Sequence, residues 1–214
     1  DLQGAQTESR FRGIGRYAMS LTREIARRNR GHEILVIGNE ALPASAEDLH
    51  RGLQGAVPLD NIRMFSIPEP VAWRSDANAW RRAAAELARE SFIQQLRPDA
   101  VLVTSLFEGS QDDAVLSIGR LPSATFPTLA VLYDLIPLLN PDKYLGAKWV
   151  HDWYFRAVEH LQRADLLLSI SQHSKEEAHE ALGLERDRIT TISSACDESF
   201  RVSPLTPEQL QALR

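Results

Sequence analysis

The sequence comprises 214 residues with a formal net charge of −5 at pH 7, and 43% of its residues are hydrophobic, which is enough for a folded core. This acidic balance argues against a nucleic-acid-binding protein. Cys196 is the single cysteine, so an internal disulfide and a cysteine zinc cluster are excluded, and a reducing, cytoplasmic location fits. The longest apolar run, residues 127–139, contains Asp134 and is too short to cross a membrane as a helix.

Helical and strand-like segments alternate along the first half of the chain. Helical periodicity at residues 15–29 is followed at residues 33–38 by a short apolar run, which is typical of a strand buried on both faces. Further helices are predicted at residues 44–53, 80–96 and 112–118, and further strands at 62–67 and 99–103.

The alternation continues in the second half. The patterns predict strands at residues 128–132, 165–170 and 189–193 and helices at 145–162 and 174–182. Ser174 and Glu177 fit a capping box that opens the last of these helices, and Gly183 ends it. Such alternation predicts an α/β fold with a parallel sheet and helices on both faces.

Neither end of the sequence resembles a natural terminus. The chain starts at Asp1 in polar residues, so we expect the first strand of the sheet to precede residue 1. Thr206 and Pro207 begin a helical pattern that still continues at Arg214. We therefore expect one domain at residues 1–203 and, at residues 204–214, the start of a linker or helix towards a further domain.

A glycine loop leads into the first predicted helix and is the first candidate binding site. Glycine lets the backbone approach a ligand closely, and the free N–H groups of a helix start attract anions. A phosphate or sugar diphosphate would suit this site. Its candidate binding residues are Arg12, Gly13, Ile14, Gly15 and Arg16.

Further candidates follow predicted strands, because ligands of parallel sheets bind beyond the carboxyl ends of the strands. Glu108 is either a ligand for sugar hydroxyls or a solvated loop residue. Asp134 interrupts an apolar segment, and a charge beside a core needs a partner or a role. Ser171 and His173 lie near a helix start that Ser174 caps or that holds a phosphate. No histidine has metal-ligand spacing, so no metal site is expected.

Two other interpretations concern the start of the chain. Gly13, Gly15 and Ala18 fit the alanine variant of the dinucleotide fingerprint, but a strand should precede them and residues 7–12 are polar. An NAD(P)-dependent Rossmann enzyme therefore stays an alternative, as does a non-catalytic carbohydrate-binding domain. The first helix is also basic, which reflects either ordinary helix capping or contact with an anionic membrane through Arg16, Arg23, Arg27, Arg28 and Arg30.

Four motifs in order carry a family resemblance: residues 3–17 with the glycine loop, Ser-Leu-Phe-Glu-Gly at 105–109, Tyr-Asp-Leu-Ile-Pro-Leu at 133–138, and residues 169–177. Together they resemble the retaining glycosyltransferases of family 4, and most of all the bacterial mannosyltransferases that build O-antigen and other surface polysaccharides. The resemblance implies the N-terminal, acceptor-side, Rossmann-like half of a GT-B fold.

The resemblance also implies an activity, namely transfer of mannose from GDP-mannose to a growing glycan with retention, without a cofactor or an obligatory metal. The partners would be the nucleotide sugar, a glycan or lipid-linked glycan acceptor, and a second, donor-binding domain, in the cytoplasm or peripherally at the inner face of the membrane. Tyr133 and Asp134 occupy the position of a family His-Asp pair, which implies catalytic roles. Because histidine is replaced by tyrosine, its role does not transfer directly to Tyr133.

Overall fold

A computed structural model describes residues 1–196 of the chain as an α/β fold. The helices are α1 (Gly13–Arg27), α2 (Ala46–Gly52), α3 (Ala79–Gln95), α4 (Ile136–Leu139), α5 (Pro141–Tyr144), α6 (Lys148–Arg163) and α7 (Gln172–Leu182). The strands are β1 (Val36–Asn39), β2 (Ile62–Phe65), β3 (Val101–Val103), β4 (Thr128–Leu132), β5 (Leu166–Ser169) and β6 (Ile189–Thr191). The expected alternation of helices and strands is confirmed.

All the strand pairs are parallel. β1 pairs with β2, with Val36 opposite Ile62, and the second sheet has the order β3-β4-β5-β6. The start of the chain lies between the two sheets, because the Leu2 N–H donates to the Ile37 carbonyl (3.0 Å) and the Thr104 N–H donates to the Asp1 carbonyl (3.2 Å). The carboxyl ends of the strands therefore meet along one edge, and the strand expected before residue 1 stays a prediction.

The core lies between the sheet and the helices that alternate with its strands. β1 is buried at every position, which explains the apolar run at residues 36–38, and its last residue, Asn39, is buried with hydrogen bonds to Gln3 and Gln6. The larger core cluster joins β3, β4 and β5 to α3, α6 and α7, with Val103, Leu132 and Leu161 fully buried. A second cluster joins α1 and α2 to β1 and β2. This packing fixes the starts of α1, α3 and α6 at the carboxyl edge.

Residues 112–118 do not form the predicted helix, because their polar groups bond to distant segments. Asp113 Oδ1 accepts from the backbone N–H groups of Val71 (2.6 Å) and Ala72 (3.1 Å), and the Val115 N–H donates to the side chain of Gln3 (2.9 Å). These long-range bonds replace the internal bonds of a helix. The prediction of a helix at this position is wrong.

The start of α7 also differs from the prediction. Ser171 is its N-cap and accepts from the Ser174 N–H (3.0 Å), so Ser174 is not the capping residue. Ser174 is buried, and its hydroxyl donates to the Tyr133 carbonyl (2.8 Å). Gly183 ends α7 in the left-handed conformation at φ 65°, as predicted. The linker and helix expected at residues 204–214 lie outside the described residues.

Across residues 1–196, every helix is too short or too polar to span a bilayer.

Candidate functional site

The glycine loop packs tightly against the residues before it. Two short 3₁₀ turns, Gln3–Ala5 and Glu8–Phe11, lead into α1. A Cβ atom added to Gly15 would lie 2.3 Å from the Ser9 carbonyl oxygen and 2.4 Å from the Arg10 Cα atom, so any larger residue at this position must displace the backbone. A Cβ atom on Gly13 would meet no atom within 4 Å, so this position faces open space.

The start of α1 is arranged for an anion. Arg12 is its N-cap residue but forms no capping bond through its side chain, so the first amides of the helix stay available to a ligand. Arg12 and Arg16 are exposed on either side of this start, and neither forms an ion pair with another residue among 1–196. Free amides, the helix dipole and two cations together favour a phosphate group.

Glu108 holds the glycine loop in place from the end of β3. Its buried carboxylate accepts hydroxyl hydrogen bonds from Ser105 (2.7 Å), Thr7 (3.0 Å) and Ser9 (3.0 Å). Burial raises the pKa of the Glu108 carboxyl, against the effect of the three hydroxyl donors. Glu108 is therefore neither a solvated loop residue nor free to bind a sugar hydroxyl in this conformation, because its oxygens already bind the loop.

Tyr133 connects the end of β4 to β3 and α1. Its phenol donates to the Thr104 carbonyl (3.0 Å) and lies 3.4 Å from the Ile14 carbonyl oxygen. Its ring meets the ring of Tyr17 edge to face at 5.6 Å, and the Tyr17 hydroxyl donates to the Ser193 carbonyl (2.9 Å). Burial raises the pKa of the Tyr133 phenol, with smaller contributions from Tyr17 and Glu108. The phenol is thus a neutral donor to the end of β3, and the Tyr133 ring packs against α1 through Tyr17.

Asp134 and His173 face the solvent. Asp134 is exposed and accepts from the N–H of Ile136, the first residue of α4 (3.1 Å), so the expectation of a charge held beside the core is wrong for this residue. The imidazole of His173 is 82% exposed and lies 3.2 Å from Glu177. Ser171 acts as a helix cap. All three lie at the carboxyl edge, but the structure brings only Tyr133 and Glu108 into contact with the glycine-loop region.

The basic residues of α1 are largely paired. Arg23 donates to the Gly52 carbonyl (2.8 Å and 3.2 Å), while Arg27 and Arg28 both pair with Glu24 at 3.4 Å and 3.2 Å. These contacts reduce the charge that α1 presents to an anionic surface. Membrane contact through this helix stays a prediction.

The dinucleotide fingerprint lacks its structural context. It requires a strand immediately before the glycines, and the Glu8–Phe11 3₁₀ turn stands there instead. Such a site also needs an acid after the following strand to bind the ribose, and Glu40, which follows β1, instead accepts from the Ser66 hydroxyl. The geometry therefore does not support an NAD(P)-dependent enzyme.

Several polar residues of the site were not predicted. The hydroxyls of Thr7, Ser9 and Ser105 hold Glu108, and the buried side chain of Gln6 donates to the carbonyls of Asn39 (3.0 Å) and Ala44 (2.6 Å). Gln6, Thr7 and Ser9 lie in the polar segment 3–9. Its polar composition could have pointed to a site, but the sequence alone did not show that most of this segment is buried.

A parallel Rossmann-like sheet with a glycine-loop helix start at its carboxyl edge is the architecture of one half of a GT-B glycosyltransferase, and the chain has this architecture. The sequence pattern of Glycosyltransferase Family 4 matches residues 11–200, and the chain belongs to this family.

The chain is also similar to bacterial proteins named as mannosyltransferases. The chain is 35% identical over 217 residues to the serotype-specific mannosyltransferase WbdA of Escherichia coli. The matched region covers 100% of this chain and 26% of that protein. A second Escherichia coli protein of the same name is 33% identical over 86% of this chain and 22% of its own length. The chain thus spans about a quarter of the length of these relatives.

Proposed function

We propose that the protein containing this chain transfers mannose from GDP-mannose to a growing surface polysaccharide, with retention at the anomeric carbon. This domain forms the acceptor side of the cleft and works with a second domain that binds the nucleotide. One observation carries the proposal, the uncapped start of α1 on a glycine loop that Glu108 holds rigid. Membership of the family supports glycosyl transfer, and the names of the similar proteins support mannose.

The chemistry follows from the charges at the edge of the sheet. As the bond to the donor sugar breaks, negative charge develops on the departing diphosphate. The amides of Gly13, Ile14 and Gly15, the dipole of α1 and the side chains of Arg12 and Arg16 stabilise that charge. Because Glu108 fixes the loop before the reaction, these dipoles need no reorganisation during it.

The remaining site residues have orienting roles in this proposal. Asp134 is an exposed carboxylate at the rim and accepts hydrogen bonds from hydroxyls of the bound sugar. Tyr133 acts on catalysis by joining the end of β3, through its bond to the Thr104 carbonyl, to α1, through the packing of its ring on Tyr17. Ser171 caps α7, so that His173, exposed on its first turn, can contact substrate.

The test is a transfer assay on the full-length gene product with radiolabelled GDP-mannose, UDP-glucose and GDP-glucose and a mannan oligosaccharide acceptor. We expect transfer from GDP-mannose and, by NMR, an α-anomeric product from the α-linked donor. Transfer from another donor would show that the donor sugar is not mannose and would leave the proposed glycosyltransferase activity in place. If the protein bound glycans but transferred no sugar from any donor, a non-catalytic carbohydrate-binding domain would be the better interpretation.

A further inference from the structure

The side chain of Tyr17 joins two parts of the chain that belong to different sheets. Tyr17 lies in the second turn of α1, which packs with β1 and β2, whereas β6 is the edge strand of the other sheet. The Tyr17 hydroxyl donates to the carbonyl of Ser193, just after the end of β6 (2.9 Å). The bond therefore lies at the carboxyl edge, beside the glycine-loop site, and it fixes the segment by which the chain leaves the sheet. We name residues 192–196 the exit segment.

The backbone of the exit segment has an unfavourable conformation at Ser193. Its φ is 60°, and among residues 1–196 the other non-glycine residue with a positive φ is Arg97. A residue with a side chain stays in the left-handed region only where the surrounding contacts impose it. The contacts here are the Tyr17 hydroxyl and the Ile192 N–H, which donates to the Ser169 carbonyl (2.9 Å). Tyr17 thus helps to set the direction in which the chain leaves β6.

The ring of Tyr17 connects the exit segment to the residues around the site. It meets the Tyr133 ring edge to face at 5.6 Å, and the Tyr133 phenol donates to the Thr104 carbonyl after β3 (3.0 Å). The helix that carries Tyr17 starts one turn earlier, at Gly13, with the free amides of the anion site. The exit segment, the ends of β3 and β4 and the start of α1 are therefore linked through one side chain.

The ring and the hydroxyl of Tyr17 have separable roles. The ring supplies packing, which phenylalanine would supply as well. The hydroxyl bonds to the carbonyl of an exposed residue, where water can replace either partner, so this hydrogen bond contributes little to the stability of the fold. The direction of the exit segment is what the hydroxyl controls.

We propose that Tyr17 is a positioning residue for the transfer reaction, because its hydroxyl holds the exit segment against α1 and so directs the following chain. This inference rests on the proposed function, which requires a second, donor-binding domain. A fixed exit lowers the entropy that is lost when that domain brings the donor diphosphate to the amides of α1. Loss of the bond should therefore slow transfer from the bound donor without changing how the acceptor binds.

The test is kinetic and uses the full-length gene product with whichever of the three donors supports transfer. Tyr17→Phe keeps the ring and removes the hydroxyl, so kcat should fall about fivefold while KM for the acceptor stays unchanged. Tyr144→Phe is the matched control, because Tyr144 is 44% exposed, stacks with Lys143 and forms no hydroxyl hydrogen bond within residues 1–196.

A second variant reaches the same bond from its other side. Proline cannot adopt a φ of 60°, so Ser193→Pro moves the Ser193 carbonyl away from Tyr17 and should lower kcat as Tyr17→Phe does. If both variants break one tether, the double variant Tyr17→Phe/Ser193→Pro should be no slower than either single variant. A loss of kcat in the double variant equal to the product of the two single losses would overturn the proposal.

Hydrogen exchange at residues 189–196, measured without any substrate, tests the tether independently of the reaction. Exchange in the exit segment should be faster in Tyr17→Phe and unchanged in Tyr144→Phe. Unchanged exchange in Tyr17→Phe, a wild-type kcat in that variant, or an equal fall of kcat in Tyr144→Phe would each overturn the proposal. Transfer from none of the donors would refute the proposed function, and the exchange measurement would still show whether Tyr17 holds the exit segment.

Discussion

Gly15 has no room for a side chain, which makes it the sharpest probe of the glycine loop. In Gly15→Ala the new Cβ atom would lie 2.3 Å from the Ser9 carbonyl oxygen, whereas ordinary contacts begin at 3.4 Å, so the backbone must move by about 1 Å. Every close neighbour is a backbone atom, so no side chain can rotate away to relieve the contact. Overpacking of this kind costs about 1–3 kcal/mol, and the gain in helix propensity of about 1 kcal/mol offsets only part of it.

The expected result is a protein that is about 1–2 kcal/mol less stable in urea unfolding but still folded. Its transfer rate should fall about a hundredfold, because a displacement of about 1 Å at a positioning loop has that effect. Gly13→Ala separates the effect on stability from the effect on transfer, because its Cβ atom meets no atom within 4 Å. The stability of this variant in urea should therefore be unchanged or slightly higher. Gly146→Ala, also in open space and away from the loop, is the control for both readouts. If Gly15→Ala matched wild type both in its stability in urea and in its transfer rate, the assignment of the loop to the anion site would be wrong.

Three further substitutions test the site and its support. Glu108→Gln should lower the free energy of unfolding by about 1–3 kcal/mol. Because burial raises the pKa of the Glu108 carboxyl, the difference in stability between wild type and Glu108→Gln in urea should shrink as the pH rises above 4.5. Glu86→Ala should cost about 1–3 kcal/mol, because the buried Glu86 carboxylate pairs with the half-exposed Arg120 and Arg156, against under about 1 kcal/mol for exposed Glu159→Ala; equal losses in calorimetric unfolding would contradict this. Tyr133→Phe removes the hydrogen bond to the Thr104 carbonyl, so the free energy of unfolding should fall by about 1 kcal/mol, and kcat should fall more than KM.

The Glu86 carboxyl gives the opposite pH dependence to Glu108. Burial raises its pKa, but the neighbouring His160 and Arg156 outweigh burial and hold the pKa at about 2. Its contribution is therefore fully present above the usual glutamate pKa of 4.5 and disappears as the pH falls towards 2. Unfolding measured across this acid range in wild type and Glu86→Ala should converge at the lowest pH.

Local signals explain the parts of the fold that the sequence predicts. β4 lies at residues 128–132 as expected, because a short apolar run identifies a buried strand without any information from distant residues. The glycine that ends α7 was identified for the same reason, since its left-handed conformation is a local requirement.

Long-range bonds explain the parts that the sequence does not predict. The segment 112–118 has a plausible helical pattern, but its polar groups bond to Gln3, Val71 and Ala72, far away along the chain. Glu108 was expected to bind sugar or solvent, because nothing local indicates that hydroxyls about 100 residues earlier would surround it. Asp134 interrupts an apolar run at the point where the chain leaves the sheet, so the carboxylate turns to solvent while its neighbours stay buried.

These contacts limit how the domain can take part in the reaction. Glu108 is surrounded by three hydroxyl donors, and the phenol of Tyr133 is already donating to the Thr104 carbonyl with its pKa raised by burial. Neither group is arranged to take a proton from the acceptor hydroxyl. Asp134 is an exposed carboxylate that already accepts from the Ile136 N–H. If the proposed transfer is correct, this domain contributes to it by position and electrostatics, and the departing phosphate would take the proton of the acceptor hydroxyl.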